Sequence, residues 1–244
     1  MAENDTPFKI QFLKKEKLTK DTYSFYFKRD KKSRDFIAGQ YFEIKLRIKN
    51  PDERGDSRVF TCCSSPTEKD HYMITTRIIE STFKIELGKL KKGDIVQFNG
   101  PWDDLNFDES EELPQVFFAG GIGITPFHSI VKYAIDKKLE LPMTLFVSWS
   151  SMEEMIFDDF FKDAEKKLKD FRYIPTITHA QDIKEWKGET GRISERLVKK
   201  YIKKVRNNKF RIAGPPGLVK AMKELCVQMN VPKENIIAEE FEGY

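Results

Sequence analysis

Val116-Phe117-Phe118-Ala119-Gly120-Gly121-Ile122-Gly123-Ile124-Thr125-Pro126 sets the architecture of the chain's second half. The apolar run Val116 to Ala119 has the length of a buried strand, and it enters a loop with three glycines. The loop leaves through Thr125-Pro126, a pair suited to starting a helix. Threonine can cap it, and proline fits the first turn, where no backbone N–H is needed. Glycines without Cβ let the backbone come very close to a bound group, and the helix behind them points free N–H donors and a positive dipole end at it. That geometry suits a pyrophosphate, with a tight βα turn as the competing structural explanation. The spacing reads G-G-x-G-x-T-P rather than the G-x-G-x-x-G of NAD-binding Rossmann domains, so a second site is needed before a function is argued.

Outward from this loop the chain divides into two halves of different period. On the carboxyl side strand and helix alternate. Strands are expected over 115–119, 143–148, 172–178, 210–213 and 235–241, with helices over 126–138, 157–169, 194–203 and 217–229. Such alternation implies a doubly wound, mostly parallel sheet covered on both faces. On the amino side the period is 2. Tyr23, Phe25 and Phe27 share one face, and 42–49 separates apolar from charged residues cleanly. One wet face means antiparallel strands. With further candidates over 9–14, 58–64, 72–79 and 95–99 and one helix over 83–90, this half reads as a small six-stranded β-barrel or sandwich. The acidic run Asp108-Glu109-Ser110-Glu111-Glu112 before Leu113-Pro114 reads as the joint, giving domains over 1–108 and 115–244 and a linker over 109–114.

Composition bounds the function. At 244 residues, two domains of about 110–130 residues are the natural division. The 43 basic and 39 acidic residues leave only +4. The lysine runs at 14–17, 166–169 and 199–204 therefore read as solvated helix faces rather than a nucleic-acid footprint. A mildly basic surface would still steer an acidic protein partner. No apolar run approaches the ~20 residues of a membrane span, and the polar start is not a signal peptide. Three cysteines make no disulfide framework and cannot supply the four thiolates of a plant-type iron–sulfur cluster, and adjacent Cys62-Cys63 suits a reducing cytosol. His71, His128 and His179 make no metal-ligand spacing, so no metal site is expected.

Arg58-Val59-Phe60-Thr61-Cys62-Cys63-Ser64-Ser65-Pro66 is the unusual strand of the amino half. A guanidinium can fork onto phosphate oxygens, an aromatic ring can stack on a flat heterocycle, and Thr61 can hydrogen-bond a ring nitrogen. The bland alternative is an edge strand with a salt-bridged arginine.

R-x-[YF]-[ST] on a barrel strand followed by G-G-x-G-x-T-P resembles the ferredoxin–NADP⁺ reductase superfamily. Three segments agree in order. Thr75-Thr76-Arg77 with Ser81-Thr82-Phe83-Lys84 is similar to the family's flavin-pyrophosphate segment, Gly214-Pro215-Pro216 to its G-P-P motif, and Glu239-Glu240-Phe241 to its E-x-F-type terminus. The resemblance implies FAD, with FMN as the alternative, on the barrel and a nicotinamide nucleotide on the α/β half. It assigns Arg58 to the flavin phosphates, Val59 and Phe60 to the flavin's surroundings and Thr61 to its N5, with Thr75, Thr76, Arg77, Ser81 and Thr82 around the pyrophosphate. Gly120, Gly121, Gly123, Ile124, Thr125, Pro126 and Ser148 would hold the nicotinamide nucleotide, and Gly214, Pro215 and Pro216 would line the nicotinamide pocket. Thr61, Glu239 and Phe241 are the catalytic candidates. Phe241 or Tyr244 would cover the flavin, against the alternative of a core aromatic and a frayed tail.

The implied activity is a flavin-dependent NAD(P)H oxidoreductase that passes electrons to a separate carrier. A ferredoxin-, flavodoxin- or rubredoxin-like protein, a haem protein or free flavin would serve. The alternatives are an electron-input subunit of a larger complex and a nucleotide-binding regulatory module without turnover. The latter is kept open by Ala213, where many relatives have cysteine. Phe60 replaces their tyrosine, and Trp102-Asp103-Asp104-Leu105 stands where a glycine-containing turn is common. Ser148 to Glu154 holds two acids and no base, which leans toward NADH, with Arg172 or Arg192 the residues able to reverse that choice.

Overall fold

Phenylalanines at alternating positions draw the amino half around a single aromatic core. The computed structural model describes residues 6–30, 33–79, 81–179 and 185–241. Strands β1 (Phe8–Lys17), β2 (Thr22–Lys28), β3 (Tyr41–Lys45), β4 (Ser57–Thr61) and β5 (His71–Arg77), helix α1 (Thr82–Lys89) and strand β6 (Ile95–Trp102) follow in chain order. The strands form one sheet in the order β4-β3-β6-β1-β2-β5, antiparallel throughout. Phe12, Phe25, Phe27, Phe42 and Phe98 point inward and are buried. The sheet curls until its edges meet, where Cys63 N donates to Met73 O at 2.6 Å just past β4. β3 stops short of the expected residue 49 because its partner begins at Ser57, opposite Lys45. Pairing, not periodicity, limits it.

The carboxyl half contains β7 (Gln115–Gly120), α2 (Thr125–Lys137), β8 (Met143–Trp149), α3 (Asp158–Lys167), β9 (Phe171–Ile177), β10 (Glu189–Thr190), α4 (Glu195–Tyr201), β11 (Lys209–Gly214), α5 (Pro216–Gln228) and β12 (Ile236–Glu240). Its parallel sheet runs β10-β9-β8-β7-β11-β12. Successive side chains of a strand face opposite sides. Phe117 and Ala119 enter one apolar core, with α2 and α3, and Val116 and Phe118 enter the other, with α4 and α5. A strand buried on both faces cannot alternate, which is why β7 reads as one apolar run. The two-residue β10 is too short to leave a pattern and was not expected.

The winding reverses at β7. From there the chain moves outward through β8 and β9, then crosses to β11 and β12 on the other side. Such a reversal opens a crevice at the carboxyl ends of the two central strands. The glycine loop and the Gly214-Pro215-Pro216 turn both sit there.

The halves are joined through α2. Ser129 Oγ donates to Ser64 O at 2.7 Å, and His128 Nδ1 lies 2.8 Å from Cys63 O. Burial pushes the His128 pKa down to about 4, so the ring is neutral at the seam. Buried Arg211 on β11 ties the connecting segment to the sheet by donating to Asn106 O at 3.2 Å and to Gln115 Oε1.

Candidate functional site

A cavity of about 520 Å³ opens between the barrel's β4 and β5 and the carboxyl edge of the parallel sheet. Arg58, Val59, Phe60, Thr61, Thr75, Thr76 and Arg77 line it from the barrel. Thr125 lines it from the glycine loop, and Glu239 and Phe241 from β12 and the residue after it. Ten of the residues singled out in the sequence thus meet in one space. The remaining described ones do not line it.

One end of the cavity is cationic. Arg54, Arg58, Arg77 and Lys84 all face it. Burial, and then the charges of Arg54, Arg58 and Arg77, bring the Lys84 pKa down to about 8. Four cations drawn together this closely suit an anion such as a diphosphate. Sequence reasoning missed Arg54, because Pro51-Asp52-Glu53-Arg54-Gly55 has an ordinary turn composition.

Arg58 matches its structural reading as a salt-bridged arginine on an edge strand, and it also lines the cavity. It sits on an edge strand and pairs with Asp52 at 3.1 Å, while donating to Arg54 O at 2.7 Å and Ser57 O at 2.6 Å. Asp52 also accepts from Thr82 N at 3.1 Å, so a carboxylate of the chain itself occupies the N-terminus of α1. Partial burial opposes ionisation of Asp52, but its bonds with Thr82 and Arg54 and the Arg58 charge outweigh that and hold its carboxyl below the usual range. Ser81 and Thr82 therefore stand behind Asp52 rather than on the cavity wall. Thr75 Oγ1 pairs with Ser24 Oγ at 2.7 Å, inside the sheet.

The other end carries unpartnered polar atoms. Thr61 is only 5% exposed, and among the described residues its Oγ1 has no hydrogen-bond partner. Glu239 Oε2 is likewise buried without one. Burial, helped by the nearby Asp104, pushes the Glu239 pKa up to about 8. Buried hydroxyl and carboxyl groups without partners are uncommon, and both belong to cavity-lining residues. Tyr41, which also lines this cavity, has its phenol pushed up by burial and by Asp104 and Glu239.

The glycine loop is a separate backbone cradle. Residues Gly121–Ile124 form one tight turn running directly into α2. A Cβ on Gly123 would stand 2.2 Å from Ala213 O and 2.6 Å from Gly214 Cα, and one on Gly120 would stand 2.5 Å from Leu218 Cδ1. The two loops at the reversal point therefore touch, and side chains there would hold them apart. Pro126 falls in the first turn as expected, but Thr125 is not the cap. The preceding turn already provides helical backbone through Ile124, so Thr125 is the first helical residue and its hydroxyl donates to Ile122 O at 3.0 Å. Ser148 lies beside Gly120 in register, at the end of β8. Phe241 N donates to Gly214 O at 2.9 Å, tying the end of β12 to the G-P-P turn. Tyr244 lies outside the described residues.

Comparison with known proteins identifies this arrangement. Residues 9–107 match the oxidoreductase FAD-binding domain family and residues 117–224 the oxidoreductase NAD-binding domain family. The chain belongs to the oxidoreductases that pair an FAD-binding domain with an NAD-binding domain, and its fold is that of the ferredoxin–NADP⁺ reductases. It is 24% identical over 208 residues to the phenol 2-monooxygenase reductase component DmpP of Pseudomonas sp. strain CF600, covering 84% of this chain and 58% of that protein. It is 27% identical over 233 residues to flavohemoprotein A of Dictyostelium discoideum, covering 89% and 56%. The chain thus spans little more than half of these relatives. In fold it is similar to the ferredoxin NADP⁺ reductase of Neisseria gonorrhoeae solved with FAD and NADP, with a TM-score of 0.80, 21% identity and coverage of 96% and 98%. The cytochrome b5 reductase domain of Ulva prolifera nitrate reductase gives a TM-score of 0.82 at 18% identity, covering 96% and 97%. Among the described residues no helix is long and apolar enough to cross a membrane, and no metal-holding group of side chains occurs.

Proposed function

We propose that this chain moves reducing equivalents from NADH to FAD and on to a separate carrier protein. Residues 1–108 would form the FAD-binding domain, 109–114 the linker and 115–244 the NAD(P)-binding domain. The single observation carrying this reading is the cavity shared by both halves, with a cationic end at Arg58 and an unpartnered, buried Thr61 hydroxyl in the same strand.

The residues present fit a flavin. Arg54, Arg58, Arg77 and Lys84 would hold its phosphates, Phe60 would pack on it, and Thr61 Oγ1 would find its missing partner on a ring nitrogen. The bound flavin supplies exchange between a two-electron hydride donor and one-electron carriers. Glu239 keeps its proton at neutral pH, so it presents a donor rather than a charge to the cavity. Gly120 and Gly123 let the glycine loop close on the Gly214-Pro215-Pro216 turn, the crevice there would hold the nicotinamide nucleotide, and the seam through His128 and Ser129 would keep the two sites in fixed relation.

NADH is favoured over NADPH by the end of β8. Glu153 follows Ser148 there and is held ionised chiefly by a hydrogen bond with Ser151, which disfavours a 2′-phosphate. Arg172 stands at the opposite end of β9 and donates to Tyr201 O at 3.3 Å, well away from this turn. The test is anaerobic titration of the flavin-loaded protein with NADH and NADPH in parallel, followed by visible absorption. Bleaching by NADH at lower concentration is the expected result. A flavin that resists both nucleotides would favour the regulatory module.

A further inference from the structure

We propose that the amino ends of the parallel strands carry a docking cleft for an acidic segment of a partner protein, built from lysines just past the ends of α3 and α4. Two lysine runs far apart in sequence, 166–169 and 199–204, converge there. On the helices themselves lysines behave as solvated, paired faces. Lys167 pairs with Asp163 at 2.6 Å, Lys199 with Glu195 at 2.5 Å and Lys200 with Glu189 at 2.5 Å. Beyond the helix ends the pattern changes. Lys169, Lys203 and Lys204 join Arg172 around a cleft of about 510 Å³, and none of the four is ion-paired among the described residues. They face one lining carboxylate, Asp170. The nearby acidic linker does not neutralise them, because Glu111 is engaged 3.6 Å from both Lys209 and Arg211.

The chemistry selects the occupant. The backbone amides at the floor are already used, with Gln115 N donating to Pro142 O at 2.8 Å, Met143 N to Asp170 O at 3.0 Å and Lys209 N to Pro114 O at 2.9 Å. Recognition therefore rests on long, exposed cationic side chains around a partly apolar floor that includes Ile202. Such groups adapt to an extended acidic chain better than they fix a small anion, for which buried, preset donors serve. Along β7, Gln115 at the cleft and Gly120 at the glycine loop are five residues apart, roughly 17 Å. A partner held at this end leaves the cavity and the nucleotide crevice open, as a standing subunit contact requires.

The experiment is fluorescence anisotropy of a labelled octapeptide of glutamates and aspartates around one central aromatic residue, titrated with the full chain saturated with FAD. Saturable, salt-sensitive binding is expected, weakened about tenfold by Lys203→Glu/Lys204→Glu. The same charge change at Lys14→Glu/Lys15→Glu on β1 leaves binding unchanged, and unaltered flavin spectra show both variants folded. Absence of saturable binding, or equal weakening by the two variants, overturns the proposal. Displacement of the peptide by tripolyphosphate or by a twelve-residue oligothymidylate at lower concentration would overturn the acidic-peptide assignment.

Discussion

The barrel wall and the glycine loop meet at one cavity but differ in what they offer a ligand. The barrel presents side chains: four cations, an aromatic ring and a hydroxyl without a partner. The loop presents backbone, packed so closely against the G-P-P turn that Gly123 has no room for a methyl group. The difference teaches where each site is fragile. A side-chain site loses affinity by steps as groups are removed, whereas a backbone cradle fails when anything is added.

Gly123→Ala tests the contrast most severely. Its Cβ would have to displace the Ala213 carbonyl, so stability falls by about 3 kcal/mol or more and nicotinamide binding is lost. Urea unfolding together with nucleotide titration reads both. Wild-type stability with normal nucleotide affinity would show that the cradle yields.

The seam between the regions is tested by pH. The unfolded His128 takes a proton near 6.5, but the folded one only near 4, so its contribution is intact above pH 6.5 and is lost as pH falls. Glu239 runs the other way. Folded, it holds its proton to about 8, against 4.5 unfolded, so stability is lost as pH rises through that window. Between pH 4.5 and 6.5 the two slopes oppose one another. Glu239→Gln should therefore unmask an acid loss of up to about 1.4 kcal/mol per pH unit, and His128→Gln should unmask the opposite slope, stability falling as pH rises. Urea midpoints across pH 4.5–8 measure this, and identical slopes in wild type and both variants would contradict the assignment.

Arg58→Ala should weaken FAD about 10- to 100-fold, the worth of a charge-assisted contact. A protein that still purifies fully yellow would remove Arg58 from the phosphate site. Thr61→Val splits stability from rate. Without flavin, removing an unpartnered hydroxyl stabilises by about 1 kcal/mol, while NADH-driven flavin reduction slows about tenfold. Stopped-flow and thermal melts of the flavin-free protein separate the two, and parallel changes would deny the hydroxyl its role. The smallest effect belongs to Asp52→Asn, which releases Arg58 and the start of α1. FAD affinity should rise about threefold by fluorescence titration, and a fall would mean that Asp52 only organises the loop.

The sequence carried the barrel strands and the βα alternation because burial on one face or two writes a period directly into residue order. Tyr23, Phe25 and Phe27 fall in one strand, Thr22–Lys28, as their alternation implies. The glycine loop was legible through its backbone demands, since a Cβ on Gly123 would run into the backbone of Ala213 and Gly214. Other features left no local signal. The cap at Thr125 was misread because the turn before it supplies helical backbone. Arg54 was hidden in a turn, and Asp52 at the α1 N-terminus is a contact across 30 residues.

Residue order alone determined the strand and helix pattern, the two-part organisation and the residue types at the cofactor motifs, because these follow from local periodicity and backbone freedom. Only the tertiary structure decided which charges share a space. It set Asp52 against Arg58, left Thr61 Oγ1 and Glu239 Oε2 without partners among the described residues, and brought two distant lysine runs to one cleft. Electrostatics and desolvation depend on distances through space, and those are set by packing rather than by neighbours along the chain.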